Sequence, residues 1–119
     1  MCKSLAGNSM DLVIITNFQS WEEDIANRDA VIITGRIHPG ETNASWIVEG
    51  ILEFLVSDEE EAVSLREKYV FKIIPMLNPD GVILGNYRWS LSGQDLNRQW
   101  IAATSRVFPE IYNTKLMLK

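Results

Sequence analysis

An open α/β sheet crossed over by helices is the fold class this sequence predicts, on three observations. Leu12–Thr16, Ala30–Thr34 and Val70–Leu77 are short apolar runs rich in β-branched residues, and each reads as a strand. Between the second and third runs, Ser45–Val56 carries Ile47, Ile51, Phe54 and Leu55 at helical spacing. Strand, helix and strand in that order build a sheet whose connections cross over through helices.

The elements follow in chain order. Asn17 to Asp29 is polar, holds four acidic residues and reads as a loop or surface excursion, with Trp21 expected to pack over the core. Thr42 or Asn43 is the expected cap of the Ser45–Val56 helix, since a short polar side chain can accept from a free amide of the first turn. Ser57-Asp-Glu-Glu-Glu61 reads as the solvated start of a second helix, capped by Ser57 or Asp58 and continued by Ala62, Leu65 and Tyr69. Acids there lie at the positive end of the helix dipole. Pro75 cannot donate to a ladder and marks the end of the third strand. Asn78-Pro-Asp-Gly81 is a turn signal, Val82–Leu84 a short extended piece, and Gly85–Gln99 a polar loop. Ile101–Arg106 is ambiguous. Pro109 suits a first helical turn, and Glu110–Lys119 reads as a helix. A sheet this small is expected to leave an apolar edge or face uncovered, as part of a larger domain would.

The chain is organised around residues 30–46, from Ala30 to Trp46, where a strand gives way through Gly35-Arg-Ile-His-Pro-Gly-Glu41 to a helix. The only histidine, His38, stands here with Glu41 three residues on. Ligands gather at the carboxyl ends of strands in open α/β sheets. Imidazole and carboxylate are both zinc ligands, and catalytic zinc commonly keeps three protein ligands and one open position. Pro39 and Gly40 fix a turn that could aim both side chains at one point. A loop histidine beside a helix-favouring acid is the plainer reading of the same residues.

Composition narrows the classes. The 119 residues are 46% hydrophobic and 23% charged, a globular balance, and at most one small domain. Eleven Lys and Arg against 16 Asp and Glu leave a net charge of −5, which argues against general nucleic-acid binding and against a membrane surface. A single cysteine, Cys2, excludes an internal disulfide and fits a reducing compartment. The start of the chain lacks the apolar core of a secretory signal, and its apolar runs are too short to span a bilayer. The chain is expected to be intracellular and soluble.

A second constellation lies in Asn86–Arg98. Arg88, Arg98 and Asn97 occupy a loop-rich stretch after a strand and a turn. Arginine offers a rigid fork of donors that grips a carboxylate, and a fixed charge that stabilises a developing oxyanion. Each of these residues, taken alone, reads as a surface group. In order along the chain stand His38-Pro-Gly-Glu-Thr-Asn-Ala-Ser-Trp46, Phe71-Lys-Ile-Ile-Pro-Met-Leu-Asn-Pro-Asp-Gly81, Gly85-Asn-Tyr-Arg88 and Asp95-Leu-Asn-Arg-Gln-Trp100. Together they resemble the cytosolic carboxypeptidases, zinc metallocarboxypeptidases that remove glutamates from protein tails, notably tubulin.

The resemblance implies a mixed β-sheet flanked by helices, a partial zinc-carboxypeptidase fold truncated after its first half. It implies Zn2+ as cofactor, with His38 and Glu41 as its first two ligands. Arg88 would polarise the scissile carbonyl and steady the oxyanion, and Asn97 and Arg98 would grip the substrate's terminal carboxylate. Glutamate-rich C-terminal tails would be the partners, and the cytoplasm, with the cytoskeleton or cilium, the place of action. Arg36, Asn78 and Asp80 lie within the motifs and are expected to have structural roles. Trp89 stands where the family often has cysteine, a departure that touches local packing and removes no catalytic group.

The class uses two His and one Glu on its zinc. The second histidine and the general-base glutamate are expected beyond the helix that begins near Pro109. Residues 1–119 are therefore expected to be the N-terminal portion of the catalytic domain, and inactive alone. The alternative is a catalytically inactive remnant acting as a binding module.

Overall fold

The computed structural model describes residues 1–119. A hairpin opens the chain: β1 (Cys2–Lys3) and β2 (Ser9–Met10) pair antiparallel. Then come β3 (Val13–Ile15), a short helix α1 (Glu22–Ala26), β4 (Asp29–Thr34) and the long helix α2 (Thr42–Val56). Helix α3 (Glu60–Lys68) leads into β5 (Tyr69–Ile74), followed by α4 (Pro79–Ile83), a 3-10 turn at Leu96–Arg98, and α5 (Pro109–Met117).

The main sheet is mixed, with β5 in the middle. β3 runs antiparallel to it, Val13 opposite Ile73, and β4 runs parallel, from Asp29 opposite Tyr69 to Thr34 opposite Ile74. Parallel neighbours need a long crossover, and α2 and α3 supply it. The central strand buries apolar residues on both faces, with Lys72 the one charged residue in it. Phe71 and Ile73 pack with Ile15, Val48 and Leu55 under α2, while Ile74 joins Met10, Leu77, Leu96 and Ile111 on the other side.

Several local expectations give way to tertiary context. Trp21 does not pack over the core; it is 83% exposed beside the short α1. That segment is tied down instead by Arg28, which donates to the Thr16 hydroxyl, the Asn17 carbonyl and the Ser20 hydroxyl. In α2 the buried residues are Val48 and Leu55, whereas Ile47 and Phe54 are exposed. The inward face is rotated from the predicted one because only one side of α2 meets the sheet. The cap of α2 is Glu41, without a side-chain bond, so neither Thr42 nor Asn43 takes that role. Glu59 rather than Ser57 or Asp58 occupies the cap of α3. Strand β5 ends at Ile74, just before Pro75.

Asn78–Gly81 is the first turn of α4, not a free turn, and Val82 and Ile83 are helical, not extended. The Asn78 side chain accepts from the Gly81 amide, and Pro79 fits the first helical position. Asp80 is buried and accepts from the Ser4 hydroxyl, the Ala6 amide and the Asn8 side-chain amide, pinning the β1–β2 hairpin onto α4. Burial pushes its carboxyl up, but these three bonds outweigh it and hold the group below the ordinary aspartate value. Asn78 and Asp80 thus hold the turn and the hairpin in place.

Candidate metal centre

The site begins where β4 stops. Gly35 is still tied to the neighbouring strand, its amide donating to the Ile74 carbonyl at 2.8 Å and its carbonyl accepting from Leu77 at 2.9 Å. The backbone then turns sharply through Arg36, whose φ of 54° is the one positive value outside glycine. Two supports fix the turn from α4 and the loop beyond it. The Asn78 side chain donates to the Ile37 carbonyl at 3.2 Å, and the Gly40 amide donates to the Tyr87 carbonyl at 2.7 Å. Gly40 lies so close to the Tyr87 ring, and Gly81 so close to the Pro39 ring, that a Cβ at either position would collide.

His38 is buried on this turn. Its Nδ1 faces Glu41 Oε1 at 3.0 Å, and its Nε2 faces Asp95 Oδ1 at 3.0 Å. Asp95 is the hub. Oδ1 also accepts from the Asn97 amide at 2.9 Å, and Oδ2 accepts from Arg88 Nε at 2.9 Å and pairs with Arg88 Nη2 at 2.8 Å. Burial alone would raise the Asp95 carboxyl; the bonds from His38, the Asn97 amide and Arg88 outweigh it and lower it. Asp95 is therefore a carboxylate, which accepts only, so Nε2 carries a proton and donates it to Asp95.

That assignment decides what Nδ1 can do. A neutral imidazole with its proton on Nε2 turns a lone pair toward the Glu41 carboxylate. Two acceptors 3.0 Å apart repel unless a proton or a cation lies with them. Neutral imidazole and carboxylate are the donor types that zinc takes, and a histidine ligand typically gives its other N–H to a carboxylate, as His38 does to Asp95. The residues present thus fit two positions of a zinc site. No group of three or more His, Cys, Asp and Glu side chains gathers in the chain to hold a metal.

The predicted residues do not all converge. His38 and Arg88 meet through Asp95, and Glu41 joins them at the other ring nitrogen of His38. Asn97 and Arg98 follow Asp95 on the 3-10 turn that it caps, and both are exposed. The Asn97 side chain accepts from the Trp100 indole at 2.9 Å, and the only hydrogen bond from the Arg98 guanidinium is a long one to the Asn97 carbonyl at 3.4 Å. No hydrogen bond links either side chain to His38 or Glu41. Trp89 is half exposed, and its carbonyl accepts from the Asn86 side chain. Asp95 itself was not among the sequence-predicted site residues. Its partner His38 lies 57 positions away, a separation no local spacing rule reads.

Comparison with known proteins bears on the same residues. The family model described as zinc carboxypeptidase matches residues 1–116. The whole chain is 52% identical to human cytosolic carboxypeptidase 1 and 50% identical to mouse cytosolic carboxypeptidase 2, yet spans only 10% and 14% of their lengths. Among solved structures, a putative carboxypeptidase A from Shewanella denitrificans superimposes on 98% of the chain with a TM-score of 0.89 at 34% identity, and the match covers 30% of that protein. A metallo-carboxypeptidase from Pseudomonas aeruginosa, solved with (2-guanidinoethylmercapto)succinic acid, gives a TM-score of 0.85 at 29% identity over the same shares. With its mixed sheet, its site at a strand end and this breadth of match, the chain belongs to the zinc carboxypeptidase family.

Proposed function

We propose that residues 1–119 are the N-terminal portion of a zinc carboxypeptidase catalytic domain and supply the first half of its active site. The observation that carries this reading is the 3.0 Å approach of His38 Nδ1 to Glu41, with Asp95 behind the ring. In it His38 and Glu41 are metal ligands. A zinc ion bound there supplies Lewis acidity and acidifies water at neutral pH.

The remaining roles belong to the protein. Asp95 holds the His38 ring by Nε2, which leaves Nδ1 as the nitrogen that faces Glu41. Arg88 spends Nε and Nη2 on Asp95, which leaves Nη1 free to donate to a carbonyl oxygen whose charge grows during peptide hydrolysis. Asn97 and Arg98, exposed beside the site, take the terminal carboxylate of a peptide, which makes the reaction an exopeptidase one. The substrate class is the C-terminal tail of a protein, with glutamate as the residue removed and tubulin as one source of such tails. The resemblance to the cytosolic carboxypeptidases supports this. The names of the relatives support a place in the cytosol, and no helix here is long and apolar enough to cross a membrane.

With two metal donors in place, the 119-residue chain alone is inactive in this reading. The test is complementation. The chain is mixed with the C-terminal part of a cytosolic carboxypeptidase catalytic domain and assayed on peptides ending in glutamate. Release of glutamate by the mixture, absent from either part alone and abolished by His38→Ala, is the expected result. A mixture in which the parts associate and bind zinc regardless of His38 would overturn the assignment. A binding module without catalytic partnership would show no association with that part at all.

A further inference from the structure

We propose that Arg36 is a positioning residue that sets the His38–Glu41 pair before any cation arrives. The inference rests on reading that pair as metal ligands. Arg36 sits in the left-handed region at φ 54°, which is unfavourable for every residue with a side chain and free of cost for glycine. Such a residue persists only where its surroundings over-determine it, and such outliers concentrate at functional sites.

The side chain shows what arginine does that glycine could not. Its Nε donates to the Pro39 carbonyl and its Nη1 to the Ser45 hydroxyl, each at 2.7 Å. These short bonds from a charged donor bracket residues 37–45, from the end of β4 to the first turn of α2. His38 and Glu41 both lie inside the bracket. Glu41 occupies the cap of α2 but makes no capping bond, so its carboxylate is free to face His38. A bracket on the backbone fixes where the two ligands start; Asp95 then holds the His38 ring, while the Glu41 carboxylate has no hydrogen bond besides the one to His38 to aim it. Groups behind the ligands commonly set metal affinity in this way.

Since His38 is the only histidine, its ring signals are unambiguous in a spectrum of the whole chain. The measurements are the nuclear Overhauser contact between the His38 ring and the Glu41 side chain, the couplings that report χ1 of each, and zinc affinity by calorimetry. In Arg36→Gly the backbone strain is relieved. The thermal midpoint is expected to hold or rise, while the contact weakens, χ1 averages and zinc affinity falls about 10- to 100-fold. Arg36→Lys keeps the charge but cannot bridge both acceptors and is expected to fall between. Ser45→Ala removes one arm without touching the left-handed residue, and is expected to shift the same signals less. Arg28→Ala, which removes a buried arginine elsewhere, should lower the midpoint and leave the pair unmoved. An Arg36→Gly chain with an intact contact, single rotamers and unchanged zinc affinity would sink the proposal. Should zinc fail to bind the parent chain while Arg36→Gly still loosens the pair, the metal reading falls and the positioning role stands.

Discussion

The turn after β4 and the outer face of α2 are neighbours in the chain with opposite surroundings. On the turn, backbone and side chains are bound from several directions: by Arg36 and Ser45 within it, by Asn78 and Tyr87 from α4 and beyond, and by Asp95 from the 3-10 turn. On α2, Trp46 is 72% exposed and Ile47 60% exposed, and β4 below it has an unpaired outer edge. The site is held by polar bonds to distant segments, whereas the apolar surface beside it is open.

Four substitutions probe this contrast, from the largest effect to the smallest. Asp95→Ala leaves the His38 ring and Arg88 facing an empty place, and breaking a buried pair on one side typically costs 3–5 kcal/mol. Arg88 is 37% exposed and recovers some hydration, so a loss of about 3 kcal/mol is expected in denaturant titration, together with loss of the single His38 orientation. A stable Asp95→Ala chain with His38 unmoved would show that the hub is not what orders the turn. Gly81→Ala drives a methyl into Pro39 and the Trp89 carbonyl. Overpacking of this kind costs about 1–3 kcal/mol and should displace His38 from the α4 side.

Asp80→Asn acts on the hairpin pin, away from the metal pair. It should lower stability at neutral pH by about 1–2 kcal/mol, since one buried acceptor is weakened. The pH dependence has a definite sign. A carboxyl lowered in the folded chain contributes stability that is present above its unfolded value of about 3.9 and lost as pH falls through the folded one. The parent should therefore lose more stability than Asp80→Asn on acidification below about pH 4, read from urea midpoints. Glu110 works the other way. Burial, helped by the Asp80 charge, raises it, and acid relieves that cost, less so in Asp80→Asn, where the charge is gone. Smallest is Ile47→Lys, expected within about 0.5 kcal/mol of the parent because the residue touches little. Its readout is light scattering, where fewer aggregates than the parent are expected if the face is sticky.

The same contrast marks what could be read in advance. The three main strands were legible because Leu12–Thr16, Ala30–Thr34 and Val70–Leu77 are mostly apolar and rich in β-branched residues, and α2 because its apolar residues repeat at helical spacing. The β1–β2 hairpin was not, since two-residue strands such as Cys2–Lys3 and Ser9–Met10 are too short to show alternation. Helix α4 was hidden by residues that serve turns and helix starts equally: an asparagine that caps and a proline in the first turn. In the candidate site, His38 and Glu41 were legible as a local pair, and their side chains meet at 3.0 Å. Asp95 was hidden although it begins a motif, because its meaning lies in a contact across 57 positions.

The parallel pairing of β4 with β5 has a consequence in time. Asp29 meets Tyr69 only after α2 and α3 have closed the crossover between them. Contacts this distant in sequence must bear the entropy of loop closure before they reward it, so they form late. His38 hangs on the end of that strand, and Asp95 arrives from later in the chain still. In refolding, helical ellipticity should therefore recover before the ring signals of His38 do. The imidazole then becomes a clock for the last step of assembly, and a slow phase seen only there would belong to closure of the sheet.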